Sequence, residues 1–291
     1  MRYVVGYTPT ERGADAVALA TSMAMAQGAH LDLVYVVKKG APYVALNPQG
    51  SRVSAAEQEV LTAERVGMGQ VPEGLDAKFH VREADSFASG LIDAAVEFKA
   101  GLIVVGAASN GLFKRYSVGS VANALLHASP VPVALAPRGY QRKAPVTRLT
   151  VAVGQRAGAD AAIDVAIDAA KRRGVPLRLV SLVELDAAAG DAGEAVNAAH
   201  IHANTVLADA AGKLPGGHGV SVIVAHGRTI EEAIDGLEWD EAEVLIVGSS
   251  RLAQKNRMFL GSTANKVLRA LPVPMVVVPR DYERVGPTHE L

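Results

Sequence analysis

Cysteine is absent from the 291 residues, which excludes disulfides, thiol catalysis, thiol redox sensing and cysteine-ligated zinc, and suits a reducing cytoplasm. An excess of charge of either sign is also absent. With 29 basic side chains against 30 acidic ones, no net field draws the chain towards nucleic acid or anionic lipid. No window approaches the ~20 apolar residues of a membrane span, and the apolar run in the N-terminal MRYVVGYTPTERG is too short for a signal peptide. The expectation is a soluble cytoplasmic protein with neither nucleic acid nor membrane as partner. A Ser-His-Asp set, a nucleophile elbow and a Walker lysine pattern are missing as well, so no catalytic residue is assigned.

What is present is a repeat. Apolar residues make up 49% of the chain, enough at this length for two ordinary cores. LIVVGAASNGLFKRYSVGSVANALLHASPVPVALAPR (Leu102 to Arg138) lies without a gap over VLIVGSSRLAQKNRMFLGSTANKVLRALPVPMVVVPR (Val244 to Arg280). Gly106 matches Gly248, Gly119-Ser120 matches Gly261-Ser262, and Pro130-Val-Pro132 matches Pro272-Val-Pro274. Gly-Ala-Asp-Ala also recurs, at Gly13 to Ala16 and at Gly158 to Ala161. The reading is a duplicated domain, residues 1–141 and 142–291, joined by the polar, proline-containing GYQRKAPVTR (Gly139 to Arg148).

Each half alternates short Val-rich runs with stretches of helical period. In the first, Tyr3 to Tyr7, Leu31 to Val37, Lys78 to Val81, Leu102 to Val105 and Val133 to Ala136 read as strands, with helices at Ala14 to Ala26, Ala55 to Gly67, Ser89 to Lys99 and Ser120 to Ala128. The second half repeats the order from Leu149 to Val278. Strict β/α alternation with continuous apolar strands predicts an open parallel sheet covered by helices on both faces. Ligands of such sheets sit beyond the C-terminal strand ends, where strand order reverses.

The stretch GAASNGLFKRYSVGS (Gly106 to Ser120) falls at such a place, between a strand and a helix start. Amides and dipole at a helix N-terminus favour a phosphate, and glycine lets its oxygens approach the backbone. Ser120 and Ser262 either donate hydroxyls to a phosphate or cap their helices, the latter worth about 1 kcal/mol. Lys114, Arg115, Arg251, Lys255 and Arg257 either screen phosphate charge or serve as solvated cations.

The layout of both halves, the loop ending in Gly-Ser and the closing Pro-Val-Pro strand resemble the universal stress protein family in its tandem form. The resemblance implies a Rossmann-like, adenine nucleotide alpha-hydrolase-like fold in each half, and closing strands that pair the two halves as an intramolecular pseudo-dimer. Association of two chains into a homodimer is left open. It further implies a non-enzymatic stress-response protein that holds ATP, AMP or another adenine nucleotide, with no metal assigned. Nucleotide-binding members carry Gly-x2-Gly-x9-Gly-Ser/Thr after the fourth strand and an Asp ending the first. Here the spacing reads Gly106-x2-Ser109-x9-Gly119-Ser120 and Gly248-x2-Arg251-x9-Gly261-Ser262, and the Asp positions hold Thr8 and Gly154. The residues carried over are Thr8, Val36, Gly106, Ser109, Gly119, Ser120 and Val121 in the first half. In the second they are Gly248, Arg251, Gly261, Ser262 and Thr263, with Leu182 at the Val36 position. Serine and threonine replace glycine and aspartate more gently in the first half, which is therefore the expected binder, whereas Arg251 either occludes the second pocket or points at a phosphate. The alternative is an interaction protein that has lost nucleotide binding in both halves. A third reading, an ATP-hydrolysing or adenylyl-transferring enzyme, lacks a positioned base.

Other features have plainer readings. His200 and His202, two apart on a helix, face different ways and do not make a metal pair. Asp164 and Asp168 read as a solvated face, Gly216 to Gly219 as a turn, Met23 and Met25 as core filler, and Trp239 as a packing anchor.

Overall fold

A computed structural model of the chain describes residues 1–40, 55–107, 119–153, 159–185, 192–249, 261–280 and 282. The chain divides into two compact units, Met1–Leu125 with Ala134–Pro145, and Leu126–Val133 with Val146–Leu291. The first half runs β1 (Arg2–Gly6), α1 (Glu11–Met25), β2 (His30–Lys38), α2 (Ala55–Met68), β3 (Ala77–Ala84), α3 (Phe87–Glu97), β4 (Leu102–Gly106), α4 (Ser120–Ala128) and β5 (Val133–Ala136). The strand order is β3-β2-β1-β4-β5, and the pairs β3/β2, β2/β1 and β1/β4 are parallel. The second half runs β6 (Arg148–Ala152), α5 (Ala159–Arg173), β7 (Leu177–Glu184), α6 (Ala192–Lys213), β8 (Val220–Gly227), α7 (Ile230–Asp235), β9 (Glu243–Gly248), α8 (Ser262–Ala270) and β10 (Met275–Val278). Its order is β8-β7-β6-β9-β10, with every neighbouring pair parallel. Among the described residues, no helix is long and apolar enough to cross a membrane.

The Val-rich runs form the interior strands because helices cover both of their faces. Val4, Val5, Leu33, Val34, Ile103 and Val104 are fully buried. On the edge strand β3 exposed and half-buried residues alternate instead. The prolines place the last strands: β5 starts directly after Pro132 and β10 directly after Pro274, where the missing amide hydrogen removes no ladder bond.

Two boundaries differ from the sequence reading in ways that matter for the site. Helix α1 begins at Glu11 rather than at Ala14, because Thr10 caps it by accepting from the Gly13 amide. The helix thus includes Gly13, a poor helix former selected by contact: a Cβ there would lie 1.9 Å from the Thr8 carbonyl oxygen. Strand β2 extends to Lys38, so Val36 lies within the strand, in register with Arg82. Of the two methionines of α1, Met23 is buried as expected, but Met25 ends the helix 46% exposed and fills no core.

At the N-terminal ends of the strands each unit buries an ion cluster. In the first, Asp32 of β2 accepts from Arg2 of β1 at 2.8 and 2.5 Å and from His80 of β3 at 2.8 Å. Burial pushes the Asp32 carboxyl up, but the donors Arg2 and His80 outweigh it and hold the group below the usual carboxylate range. In the second unit the carboxylate is Glu243 of β9, fully buried between Arg148 of β6 at 2.5 Å and Arg178 of β7 at 2.7 Å. Thr150 donates to the same carboxylate. The Arg178 guanidinium lies 4.8 Å from the ring centre of Trp239, whose indole N–H donates to the Ile234 carbonyl. Trp239 is therefore the anchor the sequence suggested.

Candidate functional site

Strand order in the first unit reverses between β1 and β4, and a cavity of about 520 Å³ opens at the C-terminal ends of these two strands. That size lies within the range of small-molecule sites. Its floor is apolar, made by Gly6, Val105 and Phe87. The lack of a side chain at Gly6 keeps the floor close, since a Cβ would come within 2.7 to 3.2 Å of Leu91, Val105 and Phe87.

Two helix starts form the polar walls. The chain leaves β1, turns at Thr8-Pro9, and enters α1 with Thr10, Glu11, Arg12 and Gly13 on the cavity. Thr8 Oγ1 and Thr10 Oγ1 lie 2.9 Å apart, and the Thr10 amide donates to the Thr8 carbonyl at 2.7 Å. Opposite, the first turn of α4 contributes Gly119, Ser120, Val121 and Ala122. The first amides of any helix have no intrahelical acceptor, so both walls offer N–H groups and the positive ends of helix dipoles. Arg12, an exposed residue, joins the α1 wall. Glu11, the lining carboxylate, is highly exposed and lies 3.7 Å from Arg138, an ion pair that solvent screens. The arrangement is suited to an anionic group held by backbone amides above an apolar floor.

Of the residues read from the sequence, Thr8, Gly106, Gly119, Ser120 and Val121 come together on this cavity. Gly106 has a second use. A Cβ there would stand 2.3 Å from the Arg12 carbonyl oxygen, so the close approach its lack of side chain permits is that of α1's first turn. The capping alternative for the serines is overturned. Gly119 and Gly261 are the caps, their carbonyls accepting from Asn123 at 2.8 Å and Asn265 at 3.0 Å, and Ser120 and Ser262 stand one residue inside. Val36 does not line the cavity. Because β2 continues past it, it lies under α3, where a Cβ on Gly90 would meet both of its methyls at 2.8 Å. Thr10, Arg12 and Phe87 were missed by the sequence reading, although Thr10-Glu11 carries the N-cap signature of a helix start.

In the second unit Gly248 ends β9, Gly261 caps α8 without a side-chain hydrogen bond, and Ser262 and Thr263 are exposed on its first turn. Leu182 packs with Val180, Ala225 and Ala233, covered by Leu237. Ser109, Lys114, Arg115, Gly154, Arg251, Lys255 and Arg257 lie outside the described residues. On α6, His200 is exposed and His202 half-buried. Among the described residues no group of three or more His, Asp or Glu side chains is placed to hold a metal ion. Asp164 is exposed, 3.2 Å from Lys213, and Asp168 is half-buried, 2.8 Å from Arg172.

Comparison with known proteins agrees with this architecture. The universal stress protein family matches the chain twice, over residues 1–137 and 145–279. Universal stress proteins of Mycobacterium tuberculosis and Mycobacterium bovis are each 29% identical to it over 306 residues, covering 96% of this chain and 100% of theirs. A universal stress protein from Archaeoglobus fulgidus has a similar crystal structure, with a TM-score of 0.63 at 19% identity, covering 96% of this chain and 98% of that one. The cytoplasmic domain of a prokaryotic cation chloride cotransporter has a related fold, with a TM-score of 0.50 at 9% identity, covering 97% and 96%. With both halves matched and the strand order of each unit reversing at the same topological point, the chain belongs to the universal stress protein family in its tandem two-domain form.

Proposed function

We propose that the first unit binds an adenine nucleotide without catalysis, and that the protein acts in the cytoplasm as a sensor or docking module in stress adaptation. One observation carries the binding reading: two helix starts, Thr10–Gly13 and Gly119–Ala122, converge on one cavity at the point where strand order reverses. The phosphates belong at the α4 turn, where the amides of Ser120, Val121 and Ala122 and the Ser120 hydroxyl are offered. Thr8 and Thr10 hydroxyls face the remainder of the ligand. Thr8 stands where the resemblance places an aspartate, so nucleoside recognition relies on neutral hydroxyls and is weaker than a carboxylate would give. A non-catalytic role is supported by the lining itself, whose described carboxylate, Glu11, is exposed and beside Arg138 rather than poised as a buried base. The stress role rests on family membership.

The test is direct. The purified protein is denatured and the released small molecules are identified, and ATP, ADP, AMP and cyclic AMP are then titrated calorimetrically. Release of an adenine nucleotide, or heat of binding with one of the four, is expected. No release and no heat at millimolar ligand would sink the reading in favour of an interaction protein. Phosphate release that disappears with a cavity variant would instead make it an enzyme.

A further inference from the structure

Residues 139–145, which lead from β5 towards β6, lie along α1 as a strap, tied at three places. At one end Asp15, 3% exposed, accepts from the Gly139 amide at 3.1 Å and from the Tyr140 amide. Two turns further along the helix, Ser22, fully buried, donates to the Ala144 carbonyl at 2.6 Å and lies 3.4 Å from the Tyr140 hydroxyl. Across the strap, the Lys143 ammonium donates to the Gln70 carbonyl at 2.5 Å. Asp15 and Ser22, seven positions apart, share one face of the helix. Of these three ties, the one at Asp15 is made by a carboxyl group.

We propose that Asp15 is a proton-operated latch that holds the strap between the two halves against α1, closing as the surroundings acidify. A carboxylate buried under a strap of backbone pays for lost hydration that two amide donors only partly replace. Burial is the main influence on Asp15 and raises its carboxyl to about 6 from an ordinary 3.8. The Gly139 amide opposes this, Glu11 one turn earlier adds to it, and the Tyr140 amide and Arg138 oppose it. Arg142 of the strap lies by Tyr140, whose phenol burial pushes up. Among the described residues, the elements packed on α1, which are β1, β2, β4 and α2, add no further charge to the influences on Asp15.

The direction follows from linkage. A strap that lifts returns Asp15 to water and to its ordinary affinity for protons, so the closed strap binds the proton more tightly than the open one. Closure is therefore weakest above pH 6 and strengthens as pH falls towards 4. Between pH 7.5 and pH 5 the closing equilibrium gains about tenfold. The first turn of the same helix walls the cavity, one turn from Asp15, so proton uptake stiffens the helix that carries the candidate site. The latch stands whether or not that cavity takes a nucleotide.

The test is amide hydrogen exchange of residues 139–144 in the full-length protein at several pH values, corrected for the intrinsic pH dependence of exchange. Protection in the wild type is expected to rise about tenfold from pH 7.5 to pH 5. In Asp15→Asn, which keeps a carbonyl acceptor but cannot ionise, protection should be the same at both. Ser22→Ala should lower protection equally at both pH values, leaving the tenfold ratio. Wild-type protection that does not change with pH, an Asp15→Asn protein that retains the wild-type ratio, or a Ser22→Ala protein that loses it would each overturn the latch.

Discussion

Asp15 and Asp32 are both buried aspartates of the first unit, yet their pH dependences have opposite sign. Asp32 is held low by Arg2 and His80, so its contribution is present above an unfolded value near 3.8 and is lost as pH falls through its native one. Asp15, raised to about 6, favours the native state most below 3.8 and loses that contribution as pH rises through 6. Asp15→Asn is therefore expected to stabilise the protein at pH 7, by at most about 3 kcal/mol, and to do nothing at pH 3.5. Asp32→Asn should cost about 3 kcal/mol at pH 7, because it leaves Arg2 facing a buried amide. Urea unfolding of both variants at the two pH values checks the pair of signs. Gly106→Ala is expected to cost about 2 kcal/mol in the same assay, since the new Cβ meets α1 backbone rather than a flexible side chain. None of the three positions announced this role in the sequence. The sequence around Asp15 does not show its partners, which lie far along the chain at Gly139 and Tyr140, and Gly106 read as space for a ligand when it is also space for a helix.

The elements themselves were largely legible. Alternating Val runs and helical periods located the strands and helices, and the repeat tied the two halves together. What the local pattern hid were the ends, because ends are decided by contacts. Gly13 argues against helix by propensity but is required by the Thr8 carbonyl beneath it, and β2, read as ending at Val37, runs one residue further to Lys38, with Val36 under α3. The two helix starts at Ser120 and Ser262 were read correctly, but the choice between a capping and a free serine was left open, and the structure decides it by using the glycine as cap. A test of the helix starts as binding elements follows. Replacing Gly119 by Val puts a branched side chain at the cap facing the cavity, and should weaken nucleotide binding at least tenfold by calorimetry, a loss of about 1.4 kcal/mol. The same replacement at Gly261 should change affinity less than twofold, and equal effects would contradict the assignment of binding to the first unit.

In the molecule as a whole, two units of one architecture solve the same problem with opposite charges. Both first strands begin with arginine, Arg2 and Arg148, and the equivalent register position on the second strand holds Asp32 in one unit, opposite Val4, and Arg178 in the other, opposite Thr150. The second unit supplies its carboxylate from β9, where Glu243 pairs with Arg148, while Gly101 sits beside Arg2 in the first. Glu243→Gln is expected to cost 3 kcal/mol or more, about the range for breaking a buried pair. Fluorescence of Trp239, the chain's one tryptophan, reads that loss beside Arg178. The reversal also bears on how the chain reaches its native state. Tandem copies are prone to exchange segments while folding, and here the exchange is mismatched in both directions. Strand β7 laid against β1 would set two guanidiniums side by side with no anion between them, and β2 laid against β6 would crowd two carboxylates onto one arginine. The opposed charges act as a key that admits each strand to its own unit and refuses it the other.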